Sequence, residues 1–360
     1  DILNLMERVM VFRKFGFRAI LLTGWAAISL LSHTGISQAA YKLIRDTSVL
    51  CDFAQNCTLS LTPVASEGAP ALGIYRSRAI GSKPELQLSY IDPSKASGKL
   101  ELFIDGKSVL VVEASAASLK GDQLNYGDAA AVTKLIDAMK NGQKLQLRFA
   151  GKTSNYSLSG FVGGLIYADE QQSRAGTVDA LQAKGNKPAP LPSEVKIIAS
   201  VDQVPEQIRK DFTEENGLCG TSSGNSFSTG GGFDAKIADG LHLIGMPCGS
   251  PGAYNQPYVF YSQYENQVVP ISLPTISDDG PTVTDQAWNI DWSQQNKTLT
   301  AFFKGRGLGD CGTYDVWKAV DTGEGHVRFV LVQERVKDDC DGNYDGGPGK
   351  WPANWPIQAK

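Results

Sequence analysis

Six cysteines, a short acidic run and a handful of histidines and tryptophans are the residues whose types and spacing could do chemistry. Cys51, Cys57, Cys219, Cys248, Cys311 and Cys340 make an even set, which in an exported protein reads as disulfides. Spacing favours Cys51–Cys57, Cys219–Cys248 and Cys311–Cys340. The last two pairs are each 29 residues apart, open on the same Cys-Gly-Thr tripeptide and carry a histidine, His242 or His326, before the closing cysteine. That pattern suggests a duplicated, disulfide-closed β unit. A crossed pairing, such as Cys219 with Cys340, stays open. No Cys or His pair has the close spacing of zinc ligands.

The oxygen-bearing side chains Asp339, Asp341, Asn343 and Asp345 recur at every second position, as a loop that wraps a calcium ion would require. The glycine at 342 and the lysine at 350 depart from the EF-hand pattern, and a solvated acidic turn is the competing reading. No other cofactor is suggested. Gly220-Thr-Ser-Ser-Gly224 has the form of a nucleophile elbow around Ser222. No helix pattern follows it, however, and His242 and His326 sit inside apolar β runs, so a hydrolase is the weakest reading. Trp288, Trp292, Trp317 and Trp351 cluster late in the chain, where flat rings could face a glycan or a protein partner. Arg306, in a glycine-rich stretch, could reach an anion.

The elements that must position these residues are mostly strands. Residues 86–91, 100–104, 107–112 and 144–149 alternate apolar and polar, and Asp105-Gly106 between two of them favours a two-residue hairpin turn. One helix is expected over residues 128–141, capped by Asp128, with Val132, Leu135, Ile136 and Met139 on one face. A second is expected over residues 205–216, and short β runs follow at residues 241–244, 258–261, 299–303, 314–317 and 326–332. The fold class is therefore mainly β with a few short helices, arranged as two disulfide-braced domains. The first is a small sandwich or barrel with one helix.

The 360 residues fit two domains better than one. Three prolines in residues 184–193 mark a linker, placing one domain at 40–183 and the other at 194–360. Ahead of them, Arg8, Arg13, Lys14 and Arg18 precede an apolar run over residues 19–31, and Ser37-Gln38-Ala39 supplies small residues for cleavage before Ala40. Residues 1–39 thus read as a signal peptide, with an uncleaved anchor as the alternative. A periplasmic or extracellular location follows, with no membrane span after cleavage. The formal net charge of −4 argues against a nucleic-acid partner.

Residues 164–181 (Gly-Leu-Ile-Tyr-Ala-Asp-Glu-Gln-Gln-Ser-Arg-Ala-Gly-Thr-Val-Asp-Ala-Leu), residues 304–313 and Trp351-Pro352 resemble the exported bacterial family known as domain of unknown function 1176. Cys51-Asp52, Cys57 and residues 158–161 are also similar to the invasion-associated locus B family of small exported β proteins. Asp52-Phe53 stands where the first family usually has Asp-Asn. The resemblance implies export, disulfides and a β-rich build, and brings no activity or catalytic residues. Together these readings favour a non-catalytic protein that binds an envelope or host partner, with a glycan-binding module as the alternative.

Overall fold

The computed structural model describes residues 40–64, 69–220, 227 and 231–356. The expected signal peptide and Ser222 lie outside the described residues. The first half contributes β1 (Ala40–Ile44), β2 (Thr47–Cys51), β3 (Cys57–Leu61), β4 (Ala71–Arg76), β5 (Glu85–Ser89), β6 (Lys99–Ile104), β7 (Lys107–Glu113), β8 (Ser118–Lys120), β9 (Gln123–Tyr126), α1 (Ala129–Asn141), β10 (Lys144–Phe149), β11 (Lys152–Ser157) and α2 (Phe161–Gln171). One antiparallel sheet has the order β1-β2-β3-β4-β5-β9-β8 and the other β11-β10-β6-β7.

The period-two alternation of the strands sends Val49, Leu59, Leu72, Ile74, Leu102 and Leu147 into one shared core. Asp105 and Gly106 both take positive φ at the β6–β7 turn. Asp128 caps α1 by accepting the Ala131 amide, and the helix lays Val132, Leu135, Ile136 and Met139 on the core. A second helix in this half, α2, corrects the expectation of one. Its adjacent glycines, Gly163 and Gly164, depress helix propensity and hide it in the sequence. They also let it lie flush on the sheet. Gly160, at its start, has φ +90°, and a Cβ there would fall 1.8 Å from the Ile44 carbonyl oxygen.

The second half contributes β12 (Val195–Ile198), α3 (Glu206–Thr213), β13 (Gly232–Ala238), β14 (Leu241–Pro247), β15 (Pro257–Tyr264), β16 (Gln267–Ile271), β17 (Leu273–Ser277), β18 (Gly280–Thr284), β19 (Ala287–Trp288), β20 (Asp291–Ser293), β21 (Thr298–Lys304), β22 (Gly312–Asp321), β23 (Val327–Lys337) and β24 (Ala353–Trp355). One sheet runs β12-β13-β14-β15-β16, with β19 beside β15; a second runs β20-β21-β22-β23-β24; β17 and β18 form a hairpin. Phe233, Leu243 and Phe260 on one sheet meet Leu299, Trp317 and Phe329 on the other. On the opposite face of the first sheet, Ile208 and Phe212 of α3 cover Ile244, Met246 and Tyr261. β14 and β15 are therefore buried on both sides, which explains their nearly unbroken apolar runs.

Among the described residues the halves share no strand, yet one residue crosses between them. Cys51 and Cys57 face each other directly across β2 and β3 and are bonded. The five residues between them form a tight loop in which Asp52 accepts the Asn56 amide and side-chain N–H. Its tip, Phe53, is 2% exposed and sits in the core of the second half, 4.9 Å from the Phe233 ring and 6.1 Å from Tyr258.

Candidate functional site

The residues that converge on the junction of the two halves begin in β4. Alternation carries its buried side from Leu72 and Ile74 to Arg76, and two residues on to Arg78. Two adjacent arginines on an inward face demand counter-charges, and the segment after α2 supplies them. Arg174, itself 1% exposed, donates through Nε to Asp179 Oδ2 at 3.0 Å, through Nη1 to Gln172 Oε1 at 2.7 Å, and through Nη2 to the Ala79 carbonyl at 3.1 Å. Arg76 donates to the Asp179 carbonyl at 2.6 Å and its carboxylate at 3.3 Å. Gln172 ties the network to the disulfide loop by donating to the Gln55 and Arg76 carbonyls. Asp169 accepts three consecutive amides, those of Leu181, Gln182 and Ala183, which folds the chain back over the arginines.

Burial, with Arg174 alongside, pushes Arg76 down to about 10. The same two causes lower Arg78. Burial alone would raise Asp179, but hydrogen bonds from Thr177 and Arg174 leave its pKa below the ordinary value. Charges are unequal: three buried arginines face two carboxylates, Asp169 and Asp179. Arg78 is the one left over. Its backbone amide is held by Asn56 at 2.9 Å, but its guanidinium, in a residue 7% exposed, has no hydrogen-bond partner at Nε or Nη1.

Arg78 lines a crevice of about 610 Å³ between the halves. Gln55 and Ser173 join it from the first half and Glu194, Gln294 and Gln295 from the second. Leu191 and Pro192, in the proline-rich stretch, form an apolar rim.

The residues singled out in the sequence lie elsewhere. The long disulfides join Cys219 to Cys248 and Cys311 to Cys340. Their loops are built differently: Cys311 directly precedes the β22–β23 hairpin, whereas Cys219 follows α3, well before β13. Three of the four candidate tryptophans are buried in the core. Trp317, Trp351 and Trp292 are 1%, 0% and 4% exposed. Trp317 donates to the Pro274 carbonyl, Trp351 to that of Tyr344, and Trp292 stacks on Phe233. Trp288 is half-buried against Phe303. A β-bulge between Val316 and Trp317 shifts the alternation and turns Trp317 inward.

In the acidic run, Asp341, Asn343 and Asp345 do converge, and the group they surround is the Lys337 ammonium. It reaches Asp341 Oδ1 at 2.6 Å, the Asn343 carbonyl at 2.7 Å and Asp345 Oδ2 at 3.0 Å. Asp339 does not join them. Among the described residues no three His, Cys, Asp or Glu side chains are grouped as metal ligands. Arg306 is engaged by Asp310 through both carboxylate oxygens. His242 Nδ1 lies 2.6 Å from Asp234 Oδ1 across the β13–β14 hairpin.

The period-two run Leu72, Ile74, Arg76, Arg78 is the sequence signal for the crevice, since alternation alone places both arginines inward. Alternation does not show which of them lacks a counter-ion.

A β-rich chain in which all six cysteines are disulfide-bonded is the kind of protein built for an oxidising compartment. Among the described residues no helix is long and apolar enough to cross a membrane. The chain belongs to the family DUF1176, proteins of unknown function, whose profile matches residues 41–358. It is 25% identical over 348 residues to "Uncharacterized protein YpfG" of Escherichia coli (strain K12), an alignment spanning 88% of this chain and 92% of that protein. No solved structure matches it.

Proposed function

We propose that the chain is an exported, non-catalytic binding protein that works in the periplasm and takes a partner of the bacterial envelope in the crevice between its two halves. In this reading residues 1–39 direct export, residues 40–183 and 194–360 are two domains, and residues 184–193 are a linker that doubles as the crevice rim. The observation that carries it is the interlock at Phe53. A disulfide-closed loop of one half is fixed in the core of the other, so crevice walls drawn from both halves are held ready before any partner arrives. Preorganisation of that kind lowers the ordering cost of binding.

Leu191, 81% exposed on the rim, suits a photo-crosslinking residue. In intact bacteria, adducts should form from position 191 and not from position 283, where the exposed Val283 lies on β18. Equal yields from the two positions, or none, would remove the crevice as the binding face. Amino-terminal sequencing of the exported protein should begin at Ala40.

A further inference from the structure

The crevice has a chemical preference of its own, and we propose that it binds a carboxylate-bearing ligand through Arg78, such as the free carboxyl end of a peptide or a small organic acid. The inference deepens the reading that the crevice is the binding face and rests on it. A buried guanidinium whose Nε and Nη1 have no partner is an uncompensated charge. Asp179 relieves it only in part and through space, because the nearby carboxylates are already hydrogen-bonded elsewhere. Asp179 is engaged by Arg76, Arg174 and Thr177, and Asp169 by three backbone amides. The backbone that carries the guanidinium is fixed: the Arg78 amide donates to Asn56, and the Arg78 carbonyl faces Arg174 Nη2. A planar fork carried in this way matches a carboxylate, which can accept two parallel N–H bonds.

Charge selects among oxyanions. The three arginines exceed Asp169 and Asp179 by a single positive charge, which one carboxylate neutralises. Glu194 in the facing wall opposes a second negative charge, so a phosphate dianion fits less well. The remaining lining residues select the group that carries the carboxylate. Side-chain amides and hydroxyls at Gln55, Ser173 and Gln295 can bond peptide-like groups, and Leu191 with Pro192 offers a small apolar contact. The crevice volume of about 610 Å³ lies within the range of small-molecule and peptide-end sites.

The test uses the full exported chain at fixed pH and ionic strength, with thermal melting and calorimetric titration. The probes are N-acetylalanine, its uncharged amide, and inorganic phosphate. N-acetylalanine should raise the melting temperature saturably and the amide should not. Arg78→Gln should weaken binding about tenfold or more. Gln295→Glu leaves the arginine network untouched, places a negative charge on the wall, and should weaken it as well. Should Arg78→Gln fold poorly, Gln295→Glu carries the test. Absence of binding by N-acetylalanine, equal binding of the amide, stronger binding of phosphate, or unchanged affinity in the variants overturns the proposal. If Leu191 still gives adducts in cells while the carboxylate fails to bind, the ligand class is wrong and the crevice reading stands. If both fail, both are wrong.

Discussion

Phe53→Ala tests the joint between the halves. The ring is 2% exposed and its neighbours, Phe233 and Tyr258, are themselves fully buried. Truncating a buried phenylalanine costs about 3–5 kcal/mol, less where the surroundings collapse into the space. Phe53 stands at the tip of a loop closed by Cys51–Cys57 and pinned by Asp52 to Asn56, so the loop cannot fold inward to fill the void. The second core can relax only at its edge. We therefore expect a loss of about 3–4 kcal/mol, read by urea unfolding followed through tryptophan fluorescence. Trp292 stacks on Phe233 at 5.9 Å and so reports the site directly. Phe53→Leu should lose much less, since most of the buried area remains. Phe53→Ala should also separate the unfolding of the two halves into resolvable transitions. A loss below about 1 kcal/mol, within the range of surface changes, with a single unchanged transition would show that the interlock does not join the halves.

Stability should rise as pH falls from 8 to 5. Burial, with Glu334 opposite, pushes Asp315 up to about 8, and burial pushes Asp291 up to about 7. The folded chain keeps both protons where the unfolded chain has lost them, so the stabilising effect grows as pH drops through these values and is complete below the ordinary carboxylate range. Up to about 6 kcal/mol follows over that window, and Asp315→Asn should remove the larger share of the change in a melting series. Replacing Cys219 and Cys248, or Cys311 and Cys340, by serine should cost about 3–4 kcal/mol each from loop entropy. Loop entropy for Cys51–Cys57 is smaller, about 2 kcal/mol, but removing it also frees Phe53, so urea unfolding should show a loss at least as large as for a long bridge. Calcium and a chelator should give the same melting temperature, because the Lys337 ammonium already occupies the space between Asp341 and Asp345; a melting temperature raised by calcium over the chelator would refute that.

Local signals are legible where local physics decides. Asp105-Gly106 forms its turn and Asp128 caps α1, because a two-residue turn and a first-turn acceptor depend on a few neighbouring residues only. The β-rich class follows from the same short-range alternation. α2 is hidden because Gly163 packs closely on Ile44 of β1 and Gly164 on β2 and β3, where a Cβ at Gly164 would meet Leu59, Thr47 and Val49 within 3.3 Å; a propensity scale counts them as breakers. The facing of Trp317 depends on a bulge one residue away, and no count of aromatic residues reveals a bulge. Two of the four oxygen-bearing side chains of the acidic run, Asp341 and Asp345, gather with the Asn343 carbonyl, but around Lys337, which lies just ahead of the run and outside its pattern.

Residues 164–181 bear on the crevice through the frame they build. Within residues 164–181, Asp169, Gln172, Arg174, Thr177 and Asp179 are bonded to one another, to backbone groups, or to the side chains of Arg76 and Ser82. Their work is to build a closed electrostatic frame around β4, and such a frame leaves a residue conspicuous when it has no place in the pairing. Arg78 lies outside the signature by sequence and beside it in space. A group that supports a site tends to carry the motif, while the group that meets a ligand needs only to be unpaired. It follows that Arg174→Gln should act on the crevice indirectly, by loosening the Ser77 and Ala79 carbonyls that fix the strand end, lowering stability and affinity together. Arg78→Gln should lower affinity while leaving unliganded stability unchanged or raised, because it removes a buried charge with no hydrogen-bond partner at Nε or Nη1. Parallel melts of the two variants, with and without N-acetylalanine, separate a supporting residue from a binding one.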